Sequence, residues 1–365
     1  MDIRNYLNFE PVGNRLEDLE TPVPLIDIGV VDQNLKRWQA HCDRQSLANR
    51  PHIKTHKLTG LARYQLDLGA RGITVQKLGE AEVMADAGIS DMLLTFNLIG
   101  RHKLQRLADL AGRTEISVVA DNAKVVEGLA WAGSQAGRDI GVLVECDTGA
   151  ARNGVQSPAA AADLARLIDR TSGVRYAGLM TFPRAGMRVE MAEYLGEASD
   201  LLGSSGLKSQ VISAGGSPDM WKDEGLEKVT EYRAGTYVYF DRSLVARGTC
   251  ALADCAVTVL TTVVSRPTDG RAMVDAGSKA LTSDLLGLTG YGVIPDFASA
   301  PVYDLSEEHG FVDVSACPTK PAVGDVLRIL PNHVCPVQNL FDRVVFIDGS
   351  EVLGAVKVDA RGLVQ

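Results

Sequence analysis

Gly141-Val142-Leu143-Val144-Glu145-Cys146 is apolar at nearly every position, and Ala177-Gly178-Leu179-Met180-Thr181-Phe182 repeats that texture downstream. Between the two, Leu164, Leu167 and Ile168 recur at helical spacing. A strand that is apolar throughout has no solvent face. Strands of that kind, separated by amphipathic helices, argue for a parallel sheet covered by helices. The same alternation extends outward from residue 22 to about 240. Its other strand-like runs are Val23–Ile28, His52–Lys54, Gly72–Val75, Met92–Thr95, Ile116–Ala120, Val211–Ala214 and Val229–Arg233. Helical patterns such as Leu35, Trp38 and Cys42, or Leu104, Leu107 and Leu110, lie between them. Eight to nine such units over this length predict an α/β fold built on a (β/α)8 barrel. An open doubly wound sheet is the alternative.

After Phe240 the texture changes. Val257–Ser265, Ala272–Val274, Val326–Ile329, Val344–Ile347 and Val352–Val356 are strand-like, with Thr268-Asp269-Gly270 and Asp348-Gly349-Ser350 as turns. Helical periodicity nearly vanishes here, which predicts a smaller, mostly antiparallel β domain. The expected division is a barrel over residues 22–243, with residues 1–21 as an N-terminal extension and residues 244–365 as the β domain. Val23–Ile28 precedes the barrel proper and could pair with the C-terminal strands.

Composition narrows the function classes. Hydrophobic residues make up 45% of the 365 and charged residues 23%, as in ordinary globular proteins. The net charge of -9 argues against a nucleic-acid or anionic-membrane partner, so any anionic ligand needs a local site. The N-terminus shows no basic start followed by an apolar run, and no stretch reaches the length of a membrane span. Six scattered cysteines lack framework spacing. These features predict a cytoplasmic protein with free thiols.

Arg50-Pro51-His52-Ile53-Lys54-Thr55-His56-Lys57 carries the most chemistry. Barrel chemistry sits at the C-terminal ends of the strands. A lysine ending a short early strand can project into the mouth and form a Schiff base with an aldehyde cofactor. Burial and neighbouring cations would make it a nucleophile and proton shuttle. The plain alternative is a solvated loop lysine. His52 and His56 have the spacing of a helical zinc pair, but Arg50-Pro51 followed by His-Ile-Lys reads as extended chain and discounts it.

Thr21-Pro22-Val23-Pro24-Leu25-Ile26-Asp27-Ile28 followed by this octapeptide resembles the start of the D-threonine aldolase and D-serine dehydratase family. That resemblance implies a pyridoxal 5'-phosphate (PLP) barrel followed by a β domain, as in alanine racemase. It assigns the PLP lysine of the Pro-His-x-Lys motif to Lys54. Ser213-Ala214-Gly215-Gly216-Ser217 and Ala234-Gly235-Thr236-Tyr237 follow two successive late strands, where glycine lets backbone N–H groups approach a phosphate. By resemblance Gly216, Ser217, Gly235, Thr236 and Tyr237 are cofactor binders. The resemblance also places Arg152, in Asp147-Thr148-Gly149-Ala150-Ala151-Arg152-Asn153-Gly154, beside the cofactor phenolate, and Gln76 near the cofactor.

Pro331-Asn332-His333-Val334-Cys335-Pro336 is the second landmark. In extended chain His333 and Cys335 would point to one side and could grip one ion. Imidazole with thiolate favours Zn²⁺, with Mn²⁺ or Mg²⁺ as alternatives. The family's metal pair is His-x-Cys in the dehydratases and His-x-Asp in typical aldolases. Asp275 and His309 stand at further family landmarks, or are turn residues.

One position departs from the family. Members usually carry a histidine after the strand ending Leu179-Met180-Thr181, where this chain has Phe182-Pro183-Arg184-Ala185-Gly186. A histidine there is a plausible base for retro-aldol cleavage. Arg184 could hold an acidic substrate's carboxylate, or point to solvent. The expected function is therefore a PLP- and divalent-metal-dependent lyase acting on small D-3-hydroxy amino acids. Cys335 and the Phe182 departure lean it toward elimination of the D-serine or 3-hydroxy-D-aspartate dehydratase type. Retro-aldol cleavage to glycine and an aldehyde is the alternative. An amino-acid racemase and a non-catalytic PLP-binding protein are further rivals. A homodimer is implied by the resemblance.

Overall fold

The computed structural model describes residues 1–297 and 300–365. The chain forms two compact units that alternate along the sequence. One comprises Trp38–Lys54, Gln65–Gly235 and Leu363–Gln365; the other comprises Met1–Arg37, Thr55–Tyr64 and Thr236–Gly362. In chain order the first strand, β1 (Val23–Asp27), belongs to the second unit.

The first unit holds the parallel strands β2 (Ala48–Asn49), β3 (Ile73–Val75), β4 (Met92–Leu94), β5 (Ile116–Ala120), β6 (Ile140–Cys146), β7 (Val174–Thr181), β8 (Val211–Ala214) and β9 (Glu231–Tyr232). They lie in the order β2-β9-β8-β7-β6-β5-β4-β3. The ends of that order meet, because Thr74 N donates to Pro51 O at 2.8 Å and His52 bridges Thr74 in parallel register. This is the expected (β/α)8 barrel. Helices such as Leu78–Asp86, Arg101–Ala111, Ala123–Ala136, Pro158–Asp169 and Arg188–Ser204 connect successive strands. Local chemistry ends them where the pattern ends. Asn122 caps Ala123–Ala136 by accepting from Val125 N, and Gly137 closes it at φ 67°.

Leu93, Val119, Leu143, Ala177 and Met180 cluster together, one or two from each successive strand. Side chains two apart on a strand share a face, so Glu145 lies on the same side of β6 as Leu143. It is a carboxylate near the C-terminal end of a strand that is buried at every position.

One strand expectation is corrected. His52–Lys54 is not a strand: β2 ends at Asn49, and Ile53–Thr55 is a 3₁₀ turn holding Lys54. Pro51 has no N–H to continue a ladder. His52 N still donates to Ala234 O at 2.9 Å, so the turn starts from a tethered point.

The second unit contains β1, β10 (Val257–Thr268), β11 (Arg271–Val274), β12 (Gly292–Ile294), β13 (Ala300–Leu305), β14 (Gly310–Asp313), β15 (Val326–Pro331), β16 (Arg343–Asp348) and β17 (Glu351–Lys357). β10 pairs with both β11 and β15, which closes the order β10-β11-β14-β13-β12-β15 into an antiparallel ring. Val259, Val263, Val274, Val302, Val312 and Ile329 fill its core. β1 pairs antiparallel with β10 and parallel with β16, extending the sheet beyond the ring. The sequence pattern does not reveal β12, β13 and β14, which are short and carry Pro301 and Asp304 among their apolar positions.

Candidate active site

In the barrel unit, Lys54 is half-buried, with Nζ 3.5 Å from Gln76 Oε1. Gln76 follows the C-terminal end of β3 and is held twice: its Nε2 donates to Thr95 O at 2.9 Å, and its backbone N donates to Glu80 Oε2 at 2.7 Å. With Nε2 committed, Oε1 faces Lys54 and also His52 Nε2, at 3.1 Å. His52 Nδ1 accepts from Lys54 N at 3.4 Å. These contacts agree on one neutral tautomer of His52, with the proton on Nε2. Lys54, His52 and Gln76 thus form one cluster at the strand ends, where barrel chemistry is expected.

The late-strand loops supply a backbone cradle. Gly215 has φ +94°, and a Cβ there would stand 2.3 Å from the Tyr232 ring. Both facts require glycine. A Cβ on Gly216 would meet Phe182 Cε2 at 3.0 Å, so the space over its backbone exists only while the side chain is absent. Tyr232 OH donates to Gly216 O at 3.0 Å, and Gly235 N donates to Ser217 Oγ at 3.3 Å. These loops are therefore braced against each other.

Arg152 comes to the same place through Phe182, whose ring centroid lies 5.0 Å from its guanidinium carbon. Its Nε donates to Asn153 Oδ1 at 3.0 Å, and its Nη2 stands 3.9 Å from Glu145 Oε1. Burial pushes the Glu145 carboxyl up to about 7, against the opposing pull of Arg152 and Arg233. Burial brings the Arg233 guanidinium down to about 10, although Glu231 and Glu145 favour its charge. Arg233 donates to Ser213 Oγ and Thr181 O, both at 2.8 Å. Arg184 is exposed.

In the β unit the expected extended geometry at the second landmark is corrected. His333 is extended at φ -142°, but it caps the helix Val334–Leu340, so Cys335 lies in a first helical turn. Pro336 tolerates that turn because first-turn N–H groups have no helical acceptor. The two side chains nevertheless meet. Burial lowers the His333 imidazole, but the Cys335 hydrogen bond and charge, with Asp284, bring it up to about 9. His333 Nδ1 lies 2.7 Å from Asp284 Oδ2, which leaves Nε2 pointing away from that carboxylate. Cys335 Sγ lies 3.2 Å from Thr55 Oγ1 and 3.7 Å from Thr236 Oγ1.

Thr236 thus sits in the β unit beside Cys335, and Tyr237 is buried in the same 3₁₀ turn. Asp275 accepts from Thr21, Thr261 and Thr262, which ties strands together. His309 is exposed in a turn, where its carbonyl accepts from Ser306 N. His56 Nδ1 accepts from Leu58 N. Among the described residues no group of three or more His, Cys, Asp or Glu could hold a metal. The donor set present is one imidazole and one sulfur, which suits a borderline-soft divalent cation with open positions.

Two family descriptions match: "Alanine racemase, N-terminal domain" over residues 26–243 and "Putative serine dehydratase domain" over residues 256–347. The chain is 34% identical to a D-threonine aldolase of Arthrobacter sp over 364 residues, covering 96% of this chain and 95% of that one. The chain belongs to the D-threonine aldolase/D-serine dehydratase family. It is an enzyme, a PLP-dependent lyase. It is also 33% identical to the D-threo-3-hydroxyaspartate dehydratase of Delftia sp. (strain HT23), covering 87% of this chain and 91% of that one. The solved D-threonine aldolase from Filomicrobium marinum superposes with a TM-score of 0.88 at 32% identity, covering 98% of this chain and 100% of that one. No helix among the described residues is long and apolar enough to cross a membrane.

Within this aldolase/dehydratase scaffold, sequence reading weighs His52 only as half of a discounted zinc pair, and assigns no role to Glu145, Arg233, Thr55, Asp241 or Asp284. Glu145 had a usable signal, since it is the one charged residue inside Ile140–Cys146. Asp241 is 1% exposed and accepts from Val334 N at 3.3 Å, which steadies the turn carrying Cys335. Nothing local marks it, because its partner is 93 residues away.

Proposed function

We propose that this chain is a PLP- and divalent-cation-dependent lyase of D-3-hydroxy amino acids that favours β-elimination. The observation that carries the reading is the Lys54–Gln76–His52 cluster beside the glycine cradle. Lys54 would hold the cofactor, Gly216, Ser217, Gly235, Thr236 and Tyr237 its phosphate side, and Arg152 its phenolate. When bound, the cofactor supplies an electron sink for charge developing at the substrate's α-carbon. His333 and Cys335 would hold the cation, which supplies Lewis acidity toward a hydroxyl oxygen. Zn²⁺ suits this pair best, with Mn²⁺ or Mg²⁺ as alternatives.

The chain's own groups have these tasks. Gln76 Oε1 orients Lys54 Nζ, which takes the α-proton. His52, neutral, fixes the amide. Arg152 offers a planar guanidinium, with the Phe182 ring centroid 5.0 Å from its central carbon. The lean to elimination rests on Cys335 as a ligand and on Phe182, which has no proton to exchange. The aldolase relatives favour retro-aldol cleavage as the second reading. A homodimer is part of the proposal.

Product analysis tests it, using D-threonine, D-serine and 3-hydroxy-D-aspartate with PLP and either Zn²⁺ or Mn²⁺. Ammonia with a 2-oxo acid supports elimination. Glycine with an aldehyde establishes cleavage instead. Neither product, in protein whose cofactor absorbance depends on Lys54, sinks both substrate readings.

A further inference from the structure

The Arg152 side chain is 56% exposed. A long exposed arginine samples many rotamers, so one orientation persists only where partners hold it. The loop after β6 supplies them. Ala151 stands at φ 53°, a left-handed conformation that L side chains rarely adopt. Backbone of that kind persists where its surroundings over-determine it. Asp147 Oδ1 accepts from Gly149 N at 3.0 Å and from Ala151 N at 3.1 Å, and Asp121 Oδ2 accepts from Gly154 N at 3.1 Å. Val155 N donates to Glu145 O at 2.9 Å, so the loop returns to the strand it left.

Asn153 ties the Arg152 side chain to this frame. Its Oδ1 accepts from Arg152 Nε at 3.0 Å, and its Nδ2 donates to Glu145 Oε2 at 2.6 Å. Glu145 is 1% exposed and belongs to a strand buried at every position, so the far end of the chain is fixed. Oε2 accepts whether or not Oε1 carries a proton. With Nε committed and Nη2 3.9 Å from Glu145 Oε1, the Nη1 group of Arg152 has no partner among the described residues.

We propose that Asn153 is a positioning residue for cofactor binding, a relay from the fixed Glu145 carboxyl that holds in one orientation the guanidinium that would meet the cofactor phenolate. This rests on the reading of Arg152 as the phenolate partner. Such a relay needs an acceptor and a donor on one short, planar group, and the asparagine amide has both.

PLP titration of the full-length protein reads the relay through the Kd and through the pH midpoint of the bound cofactor's absorbance. A cation beside the phenolate favours its charged form, so losing that cation's aim should move the midpoint up by about one unit. Asn153→Leu should show this shift and weaken the PLP Kd by about tenfold, the scale of one lost charge-assisted hydrogen bond. Combined with Arg152→Ala, it should weaken binding no further than Arg152→Ala alone, because Asn153 acts through Arg152. Asn153→Asp keeps the size but sets a second carboxyl against Glu145, so binding should weaken. Adding Glu145→Gln, whose amide donates to the new carboxylate, should restore it. That isosteric pair decides the matter if Asn153→Leu does not fold. A wild-type Kd and midpoint in Asn153→Leu, effects that multiply in the double variant, or no rescue by Glu145→Gln would overturn the relay alone. Wild-type constants in Arg152→Ala would overturn the phenolate reading and the relay with it.

Discussion

Gln76 Oε1 stands 3.5 Å from Lys54 Nζ and 3.1 Å from His52 Nε2, with its own Nε2 fixed to Thr95 O. One amide thereby meets both the Lys54 amine and the neighbouring imidazole. Gln76→Leu keeps the volume and removes the oxygen. Cofactor loading should survive while kcat falls by about 10- to 100-fold, the range typical of lost general acid–base positioning. Parallel absorbance titration and initial rates separate the two, and an unchanged kcat would show that Oε1 is idle. Lys54→Ala should lose both the cofactor absorbance and turnover.

Glu145 predicts a pH dependence of stability. Its carboxyl sits at about 7 in the folded protein against an ordinary 4.5. The folded state holds the proton more tightly, so this stabilisation is complete below about pH 4.5 and lost as pH rises through 7. Glu145→Gln cannot titrate. The Tm of the variant minus that of wild type should therefore increase between pH 5 and pH 8. A difference that is flat or falls over that interval contradicts the assignment.

Arg152 should depend on shape as well as charge. Its guanidinium stacks at Phe182 and reaches toward Glu145. Arg152→Ala should weaken PLP binding by about tenfold, and Arg152→Lys should recover little, because an ammonium has no planar fork. Full recovery by lysine would reduce its role to a point charge.

Phe182 stands where the family resemblance leads to the expectation of a histidine. Phe182→His installs a group that titrates near neutrality. The ratio of glycine to 2-oxo acid from a D-3-hydroxy amino acid should rise by about tenfold, at the low end of general-base contributions. An unchanged ratio in a folded, PLP-loaded variant would remove Phe182 as the determinant of the branch.

Arg50 and Glu231 form a buried pair at 2.8 Å, with side chains 6% and 2% exposed. Arg50→Met leaves Glu231 accepting from Ser213 Oγ without its buried cation, and should cost about 3–5 kcal/mol in denaturant unfolding. Replacing both partners with apolar residues should cost less than the single change. Equal losses would mean that packing, not the uncompensated charge, dominates.

The alternation of buried strands and amphipathic helices was legible because burial imposes a period on each element separately. Leu35, Trp38 and Cys42, read from spacing alone, are each no more than 1% exposed. β6 and β7 were legible in the same way, since a parallel strand covered on both faces must be apolar throughout. Lys54, the glycine loops and the His333–Cys335 pair were likewise marked by residue type and order in the chain. The tertiary structure alone decided what those residues meet. It turned Lys54 onto a 3₁₀ turn, put Cys335 into a helix, and gave Gln76 its orientation through Thr95. Each of these depends on a partner or turn that leaves no period in the sequence. The hydrogen bond from Val334 N to Asp241 joins residues 93 apart, and no local pattern encodes such a pairing.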